Sequence, residues 1–180
     1  VVLELDHLKG KKHLQQVVLL QLIAQLNNEF YLGDRRVPKI LLVDEAWEAF
    51  EDPMVAKFLE GAFRRMRKAA AAPVVVTQSL RDLYNSASGE AIANNAANVI
   101  VLRQNGEAIE ALKESGRVNI GDYGYEMLKS LHTEPGQYSE VLFRSGTAWG
   151  VGRFVVDRFS QLLYSTMASE VAALRALRDS

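Results

Sequence analysis

The sequence predicts a single α/β domain over residues 1–180, with a mainly parallel sheet flanked by helices and an antiparallel hairpin near its C-terminal end. Apolar runs typical of strands alternate with longer segments whose apolar residues recur at helical spacing. Strands that alternate with helices are joined by crossovers, which bring the strands parallel. A length of 180 residues and a hydrophobic content of 48% are enough for one substantial core.

Charge and cysteine content exclude several classes of protein. With 21 basic and 22 acidic residues, the net charge of -1 shows no bias towards nucleic acid or an anionic membrane surface. The absence of cysteine excludes a disulfide scaffold and a thiol nucleophile. We find no signal-peptide pattern, and no apolar run approaches the ~20 residues of a membrane span. Because the chain opens on an apparent strand, VVLELD, we expect a piece of a longer protein.

The N-terminal half predicts strands and helices in turn. A strand at residues 1–6 precedes an amphipathic helix at residues 12–30. The continuous apolar run 39–44 predicts a strand that is buried on both faces. Asp52 and Pro53 form a helix start signal, because aspartate caps free amides and proline lacks one. The strand PVVVTQS follows this helix.

The C-terminal half continues the alternation and then changes to a hairpin. The turn EPG leads into YSEVLFR, and a short SGT turn connects this segment to AWGVGRFVV, so the two segments predict antiparallel strands. The remaining predicted elements are a strand at residues 98–103 and helices at residues 89–97, 106–114, 121–131 and 157–179.

Polar residues follow three of the predicted strands: Asp6, the pair Asp44-Glu45, and Thr77-Gln78. The carboxyl ends of parallel strands are where such sheets bind ligands. Two adjacent carboxylates after a buried strand predict a nucleotide-phosphate site. One carboxylate can anchor magnesium through its water shell, and the other can polarise an attacking water, an effect of about 10²- to 10⁴-fold in rate.

The alternative for the acidic pair is a structural one, in which Asp44 and Glu45 only cap the following loop and helix. The four apolar residues directly before the pair and the TQS strand end that follows favour the phosphate site. For Asp6 and the neighbouring His7 we prefer a surface or packing role.

Gln78 is a candidate for contact with the phosphate. A neutral amide at the end of the next strand can donate to a terminal phosphate oxygen and accept from the attacking water. Alternatively, Gln78 starts its loop through a hydrogen bond to the backbone, as Thr77 and Ser79 could also do.

Arg67 belongs to the basic run FRRMRK at residues 63–68. Its guanidinium could reach a phosphate in its own or a neighbouring subunit, and an arginine finger contributes about 10³- to 10⁵-fold in rate. An equal alternative is a solvated cation that complements the helix dipole. We prefer this second role for the other basic residues of the run, Arg64, Arg65 and Lys68.

Several motifs that would identify other sites are absent. The sequence contains no G-x-x-x-x-G-K-[ST] phosphate loop and no G-x-S-x-G. The segment GVGRFV lacks the third glycine of a dinucleotide fingerprint and falls in the predicted hairpin. The histidines His7, His13 and His132 lack metal-ligand spacing.

Together these segments resemble a known family. The similarity runs in order through nearly the whole chain and involves KILLVDEAW, FRRMRKAAAAPVVVTQSLRDL, YSEVLFRSG and RFVVDRFSQLLYST. The chain resembles the C-terminal ATPase domain of TraC-like proteins, the conjugation and pilus-assembly ATPases of bacterial type IV secretion systems. DEAW, RK and TQS are fairly specific within the P-loop motor superfamily, and YSEV and SQLLYST point to the TraC branch.

The resemblance implies a RecA-like fold, magnesium-ATP as substrate, and hexamers or smaller assemblies that dock on other secretion components at the inner face of the bacterial inner membrane. It implies that KILLVDEAW is the Walker B strand. Asp44 would then serve magnesium, Glu45 would be the catalytic carboxylate, Arg67 would contact phosphate, and Gln78 would be the sensor.

One departure from the family is large, because the chain lacks the family's phosphate loop. We expect that loop upstream of Val1 in the parent protein, and we expect the 180-residue piece to bind ATP weakly or not at all. Two alternatives stay open: a DNA translocase ATPase of the HerA/FtsK kind, although direct DNA binding would normally require a basic stripe, and a non-catalytic docking module with an ATPase-like fold.

Overall fold

The computed structural model of the protein describes residues 1–4, 8, 10–118 and 120–178. Contacts divide the chain into two compact units, Val1–Ala96 and Ala97–Ser180. The predicted α/β class is confirmed, with a parallel sheet in the first unit, an antiparallel sheet in the second, and helices in both. The prediction of a single domain stays a prediction.

The first unit contains two strands and five α-helices within its described residues. They are α1 (Lys12–Asn27), β1 (Lys39–Val43), α2 (Ala46–Glu51), α3 (Pro53–Arg65), β2 (Ala71–Val75), α4 (Leu80–Tyr84) and α5 (Ala87–Asn95). A π-helical turn, Asn28–Leu32, extends α1, and a 3-10 turn, Met66–Ala69, connects α3 to β2.

The second unit consists of strands and short helices. They are β3 (Asn98–Leu102), α6 (Gly106–Ser115), α7 (Gly121–Ser130), β4 (Thr133–Glu134), β5 (Tyr138–Ser145), β6 (Ala148–Phe154), α8 (Arg158–Leu163) and α9 (Ala168–Arg178). None of the helices in the described ranges of either unit is long and apolar enough to cross a membrane.

Strands β1 and β2 pair in parallel, from Lys39 opposite Ala71 to Val43 opposite Val75. One face of this pair packs on a core formed by helices α3, α4 and α5. Its buried members are Leu59, Leu83, Ile92 and Ala93, with Leu41, Val43 and Val75 packed against them. Because the strands run in the same direction, their carboxyl ends lie at the same edge.

The prediction that β1 is buried on both faces is wrong for this structure. Leu41 and Val43 are partly buried, whereas Ile40 is 73% exposed and Leu42 is 61% exposed. Successive side chains of a strand point to opposite faces, and the helices of this unit cover one face only. A continuous apolar run therefore identified the strand correctly but not the burial of its second face.

The sheet of the second unit is antiparallel. Strand β3 pairs with β5, and β5 also pairs with β4 and β6. The predicted hairpin is confirmed, with Gly146 at φ 58° in the turn between β5 and β6. The parallel part of the described structure is thus the pair β1 and β2. The alternation of strands and helices did not reveal that β3 pairs with the hairpin.

Both termini differ from the prediction. Residues 1–4 are not in a strand, and the rest of the predicted strand, including Asp6, lies outside the described residues. The predicted helix over 157–179 is interrupted between α8 and α9. There the Ser165 hydroxyl accepts a hydrogen bond from the Met167 amide at 3.1 Å. Such side-chain bonds to nearby amides compete with helical bonds, which explains the break.

Candidate active site

The carboxyl ends of β1 and β2 are joined by backbone hydrogen bonds. The Val76 amide donates to the Val43 carbonyl, and the Ala46 amide donates to the Val76 carbonyl, both at 2.9 Å. Ala46 is fully buried. These bonds bring the segment with Asp44 and Glu45 next to the segment with Gln78, as predicted from the two strand ends.

Glu45 turns the chain from β1 into α2. Its backbone is left-handed, with φ 49° and ψ 42°. The Glu45 amide donates to Oδ1 of Asp44 at 3.0 Å, so the neighbouring carboxylate supports the turn. This bond agrees in part with the structural role considered for the acidic pair, because the Asp44 side chain caps a backbone amide of the segment that follows β1.

Among the described residues, Gln78 and Trp47 both donate side-chain hydrogen bonds to the Glu45 carboxylate. Nε2 of Gln78 lies 2.9 Å from Oε1 and 3.1 Å from Oε2 of Glu45. Nε1 of Trp47 donates to Oε2 at 2.6 Å. Gln78 thus contacts the Glu45 carboxylate across the strand pair. The alternative considered for Gln78 was a hydrogen bond to the backbone at the start of its loop, and this contact is a different one.

Trp47 is the residue of this site that sequence analysis missed. It lies in the first turn of α2, two residues after Glu45, and it is 38% exposed. The sequence signal was its place in the segment DEAW, but a tryptophan there also fits a packing role. The indole N–H meets the carboxylate beside the left-handed turn at Glu45.

The residues present fit a magnesium site in which the protein supplies few ligands and water supplies the rest. Asp44 is exposed beside Glu45, and carboxylate oxygens are the ligands that magnesium prefers. Among the described residues, no group of three or more His, Asp or Glu could hold a metal ion by itself. Magnesium in nucleotide sites commonly uses one or two carboxylates and keeps several waters, so Asp44 would hold the ion from one side.

Thr77 and Ser79 have structural roles next to Gln78. The Thr77 hydroxyl donates to the Ser79 carbonyl at 3.1 Å. Ser79 caps α4: its hydroxyl accepts from the Arg81 amide, and its amide donates to the Asp82 carboxylate. This capping box defines where α4 begins and thereby anchors the loop that carries Gln78.

The structure does not bring Arg67 to Glu45 and Gln78. Arg67 lies in the 3-10 turn Met66–Ala69, and Ala70 connects this turn to β2. The Ala70 carbonyl accepts a hydrogen bond from the amide of Lys39, at the start of β1, at 3.0 Å. Five strand residues separate that edge from the carboxyl ends, a distance of roughly 16 Å at the usual rise per residue. The exposed Arg67 thus lies at the opposite edge of the strand pair.

The other basic residues near Arg67 have local partners or are exposed. Arg64 pairs with Glu60 at 2.8 Å, and Nε of Arg65 donates to the Gly61 carbonyl at 3.4 Å. Lys68 is exposed at the end of the basic run. These contacts agree with the solvated roles that the sequence predicted for them.

Of the histidines, His132 has defined contacts in the second unit. Its Nδ1 lies 2.8 Å from Oε2 of Glu140, and its Nε2 lies 2.9 Å from the Tyr138 hydroxyl. His13 is exposed at the start of α1. Asp6 and His7 lie outside the described residues.

Comparison with known proteins places the chain in a family. The model of the TraG P-loop domain matches residues 1–179. Protein TraC of Escherichia coli (strain K12) is 30% identical over 172 residues, which cover 92% of this chain and 20% of TraC. The structure of VirB4 of Thermoanaerobacter pseudethanolicus matches with a TM-score of 0.59 and 23% identity, over 82% of this chain and 38% of the VirB4 chain. The VirB4 match shows a shared fold.

The chain therefore spans a small part of both relatives, 20% of TraC and 38% of the VirB4 chain. The family match, by contrast, covers almost the entire length of this chain. The resemblance to TraC-like proteins that the sequence motifs predicted is thereby confirmed, and the chain belongs to the TraG P-loop domain family.

Proposed function

We propose that the chain is the Walker B and sensor part of an ATP-hydrolysing motor domain that energises type IV secretion, in conjugative pilus assembly or DNA transfer. The observation that carries this proposal is the contact between Glu45 and Gln78, at 2.9 and 3.1 Å, across the carboxyl ends of two parallel strands. In a P-loop family, a carboxylate and an amide in this arrangement can act on a water and a phosphate.

Each site residue has a distinct role in this mechanism. Glu45 accepts a proton from, or polarises, the water that attacks the terminal phosphate of ATP. Gln78 donates its amide N–H to a terminal phosphate oxygen. Asp44 would hold magnesium through the water shell of the ion, and magnesium bound there would neutralise charge on the phosphates.

Gln78 links nucleotide binding to the state of Glu45. Its amide nitrogen lies within hydrogen-bond distance of both Glu45 oxygens. An amide has two N–H groups, so Gln78 can donate to the carboxylate and to a phosphate oxygen at the same time. Gln78 would therefore connect the phosphate to the Glu45 carboxylate, which is the behaviour expected of a sensor.

For Arg67 the geometry favours action on a neighbouring subunit. The residue is exposed and lies at the edge opposite to Glu45, roughly 16 Å away along the strands. An arginine side chain reaches less than half of that distance. In a ring of subunits, a residue on one face of a protomer meets the site on the opposite face of the next protomer. We therefore assign Arg67 a role in trans.

The phosphate loop is proposed to lie in the parent protein outside these 180 residues, since the family is named for a P-loop and the sequence contains no G-x-x-x-x-G-K-[ST]. Without its amides and lysine, triphosphate charge would face two carboxylates uncompensated. The 180-residue piece should consequently bind ATP weakly, and saturable micromolar binding in a calorimetric titration would contradict this. The parent is proposed to act as a hexamer or smaller assembly with other secretion components at the inner face of the inner membrane.

The test of the proposal is Glu45→Gln in the full-length protein. Glutamine keeps the size of the side chain and removes the base, so ATP binding should persist while turnover falls by about 10²- to 10⁴-fold. Glu51→Gln, at an exposed position in the last turn of α2, is the matched control and should retain activity. Undiminished hydrolysis by Glu45→Gln would remove Glu45 from the mechanism.

A further inference from the structure

Strand β1 has an open edge in the part of the chain that the structure describes. It pairs there with β2 only, and the Lys39 amide and the Val43 carbonyl bond to that neighbour. Alternate residues of a parallel strand bond to opposite sides, so the backbone groups of Ile40 and Leu42 point to the open edge. Neither residue is charged or a proline, the features that natural edge strands use against pairing. The edge is therefore competent to bind another strand.

We propose that residues 1–4 of the same chain occupy this edge in the full-length protein, as a third strand parallel to β1. The segment reads VVLE, and its β-branched and apolar residues favour a strand. Its residues form no strand in the structure, and Val2 and Leu3 are 87% and 59% exposed. Docking on β1 would remove these apolar side chains from water and is favoured for that reason.

Helix α1, which follows this segment along the chain, gives independent support. It has 16 residues, and none of them is buried. Leu14, Val17 and Leu20, in its N-terminal half, are each about half exposed or more. A helix of a folded domain normally packs an apolar stripe on a neighbouring element. A strand on the open edge of β1 would lie beneath this half of α1 and cover these side chains.

The packing of α1 and α3 determines on which side of β1 the strand must lie. Phe30, in the turn that extends α1, and Ala62 of α3 belong to one buried cluster, and Leu41 of β1 packs against it. Both helices thus lie on the same face of β1. Strand-helix-strand connections between parallel strands are right-handed in about 98% of cases. The connections through α1 and through α3 have the same hand only if the new strand lies on the side of β1 away from β2.

The outer edge of β2 is a poor alternative for the strand. The Val76 amide, directly after β2, donates to the Val43 carbonyl, so alternate residues of β2, with Pro73 among them, face away from β1. Proline has no N–H to donate and is confined to positions of a strand that need no partner. The open edge of β1 contains no such gap, in agreement with the side that the handedness rule selects.

A third strand would complete the sheet that carries the candidate active site. Sheets of two strands are marginally stable by themselves, and a third strand adds hydrogen bonds along β1. Because the new strand is parallel to β1, its carboxyl end would lie at the edge that carries Asp44 and Glu45. The segment would therefore support the strand that leads directly into the acidic pair.

The experiment measures amide hydrogen exchange, residue by residue, in the full-length protein. In the double variant Val2→Pro/Leu3→Pro, whichever of the two residues faces β1 loses its N–H, and the pairing is disrupted. Ile40 and Leu42, whose amides face the open edge, should exchange about tenfold faster in this variant than in the unaltered protein.

Two controls accompany this measurement. Leu41 and Val43 have amides that face β2, so their exchange should be the same in the variant and in the unaltered protein. Val2→Ile/Leu3→Val keeps both N–H groups and the preference for a strand, and it should leave the exchange of Ile40 and Leu42 unchanged.

Three outcomes would overturn the proposed strand. Fast exchange of Ile40 and Leu42 in the unaltered protein would show that the edge stays open. Slow exchange in both the unaltered protein and the double-proline variant would show that another segment or a second subunit covers the edge. If the prolines speed exchange throughout β1, Val2→Gly/Leu3→Gly weakens the strand more gently and keeps both amides. Equal acceleration along the whole of β1 in this glycine variant would be the third such outcome, whereas acceleration confined to Ile40 and Leu42 would support the strand.

Discussion

At Glu45 the chain leaves β1 and enters α2 through a left-handed residue, with φ 49° and ψ 42°. A residue other than glycine in this region costs about 1 to 3 kcal/mol and persists only where its surroundings hold it. Two hydrogen bonds stabilise this conformation: the Ala46 amide donates to the Val76 carbonyl, and the Glu45 amide donates to the Asp44 carboxylate. Strain of this kind is found at functional sites, and here it accompanies the carboxylate that Gln78 contacts.

Gln78→Ala tests the sensor role at the scale of one residue. We expect ATP binding to persist and kcat to fall by about 10²- to 10³-fold, as on removal of one donor to developing charge. Gln104→Ala is a matched control, because Gln104 also follows a strand but donates to the backbone carbonyls of Leu102 and Arg103, at 3.3 and 3.4 Å. Steady-state hydrolysis by the full-length protein measures both, and equal losses in the two variants would speak against a specific role of Gln78.

At the scale of the element, α3 shows how a local signal becomes a defined helix start. Oδ1 of Asp52 accepts from the amides of Met54 and Val55 at 2.9 and 3.2 Å, and Pro53 occupies the first position. Leu59 then contributes to the buried core of the first unit. The cap, the proline and the apolar stripe were all readable from the sequence, since each depends on neighbours within a few residues.

Asp52→Ala should destabilise the start of α3 by about 1 kcal/mol, because two amides lose their acceptor. Asp52→Asn is the matched control, since asparagine caps about as well as aspartate and should keep most of the stability. Native-state hydrogen exchange of the α3 amides measures the change in the free energy of opening. A loss in Asp52→Asn as large as that in Asp52→Ala would assign the effect to charge instead of capping.

The antiparallel strands of the second unit carry a partly buried carboxylate, Glu140, whose side chain is 12% exposed. Burial acts to raise the pKa of Glu140, but hydrogen bonds from the His132 amide and the Arg153 guanidinium outweigh it and lower the pKa below the usual 4.5. The Arg153 guanidinium also stacks on the Tyr138 ring at 4.2 Å. Glu140 thus connects β5 to the segment before β4 and to β6.

The lowered pKa of Glu140 determines the direction in which its contribution to stability changes with pH. A group whose pKa is depressed by folding contributes stability that is complete above its ordinary pKa and is lost as the pH falls through the lowered value. The stability contributed by Glu140 should therefore decline below about pH 4.5. Hydrogen exchange of the β5 amides between pH 3 and 6 measures this decline, which should be smaller in Glu140→Gln. An unchanged slope in that variant would exclude Glu140 as its source.

At the scale of the whole molecule, the proposed role of Arg67 in trans can be tested by mixing two variants of the full-length protein. If Arg67 acts in trans, a Glu45→Gln subunit can supply its arginine to the intact site of an Arg67→Ala subunit. In a randomly mixed ring, about a quarter of the interfaces join these two partners in the productive order. Mixing the two inactive full-length variants should thus restore part of the ATPase activity.

The control for this mixing experiment is the double variant Glu45→Gln/Arg67→Ala. Mixed with Arg67→Ala, it offers no arginine and should restore nothing. A mixture of the two single variants that stays inactive, under conditions in which mixed assemblies form, would place Arg67 in cis or outside the mechanism.

The sequence by itself was sufficient for features that depend on short stretches of chain. The apolar run before Asp44, the cap at Asp52 and the hairpin around Gly146 all follow from local spacing and composition, and the structure contains each of them. Even the meeting of Glu45 with Gln78 was predictable, because parallel strands place their carboxyl ends at the same edge.

Only the tertiary structure decided features that depend on direction and on distant partners. The left-handed turn at Glu45 and the contact of Trp47 with its carboxylate appear only in the structure. The direction of β2 places Arg67 at the far edge, and the helices cover one face of β1, so that Ile40 remains exposed. A linear pattern records which residues are apolar or charged, but side-chain contacts and the covered face depend on elements far away along the chain.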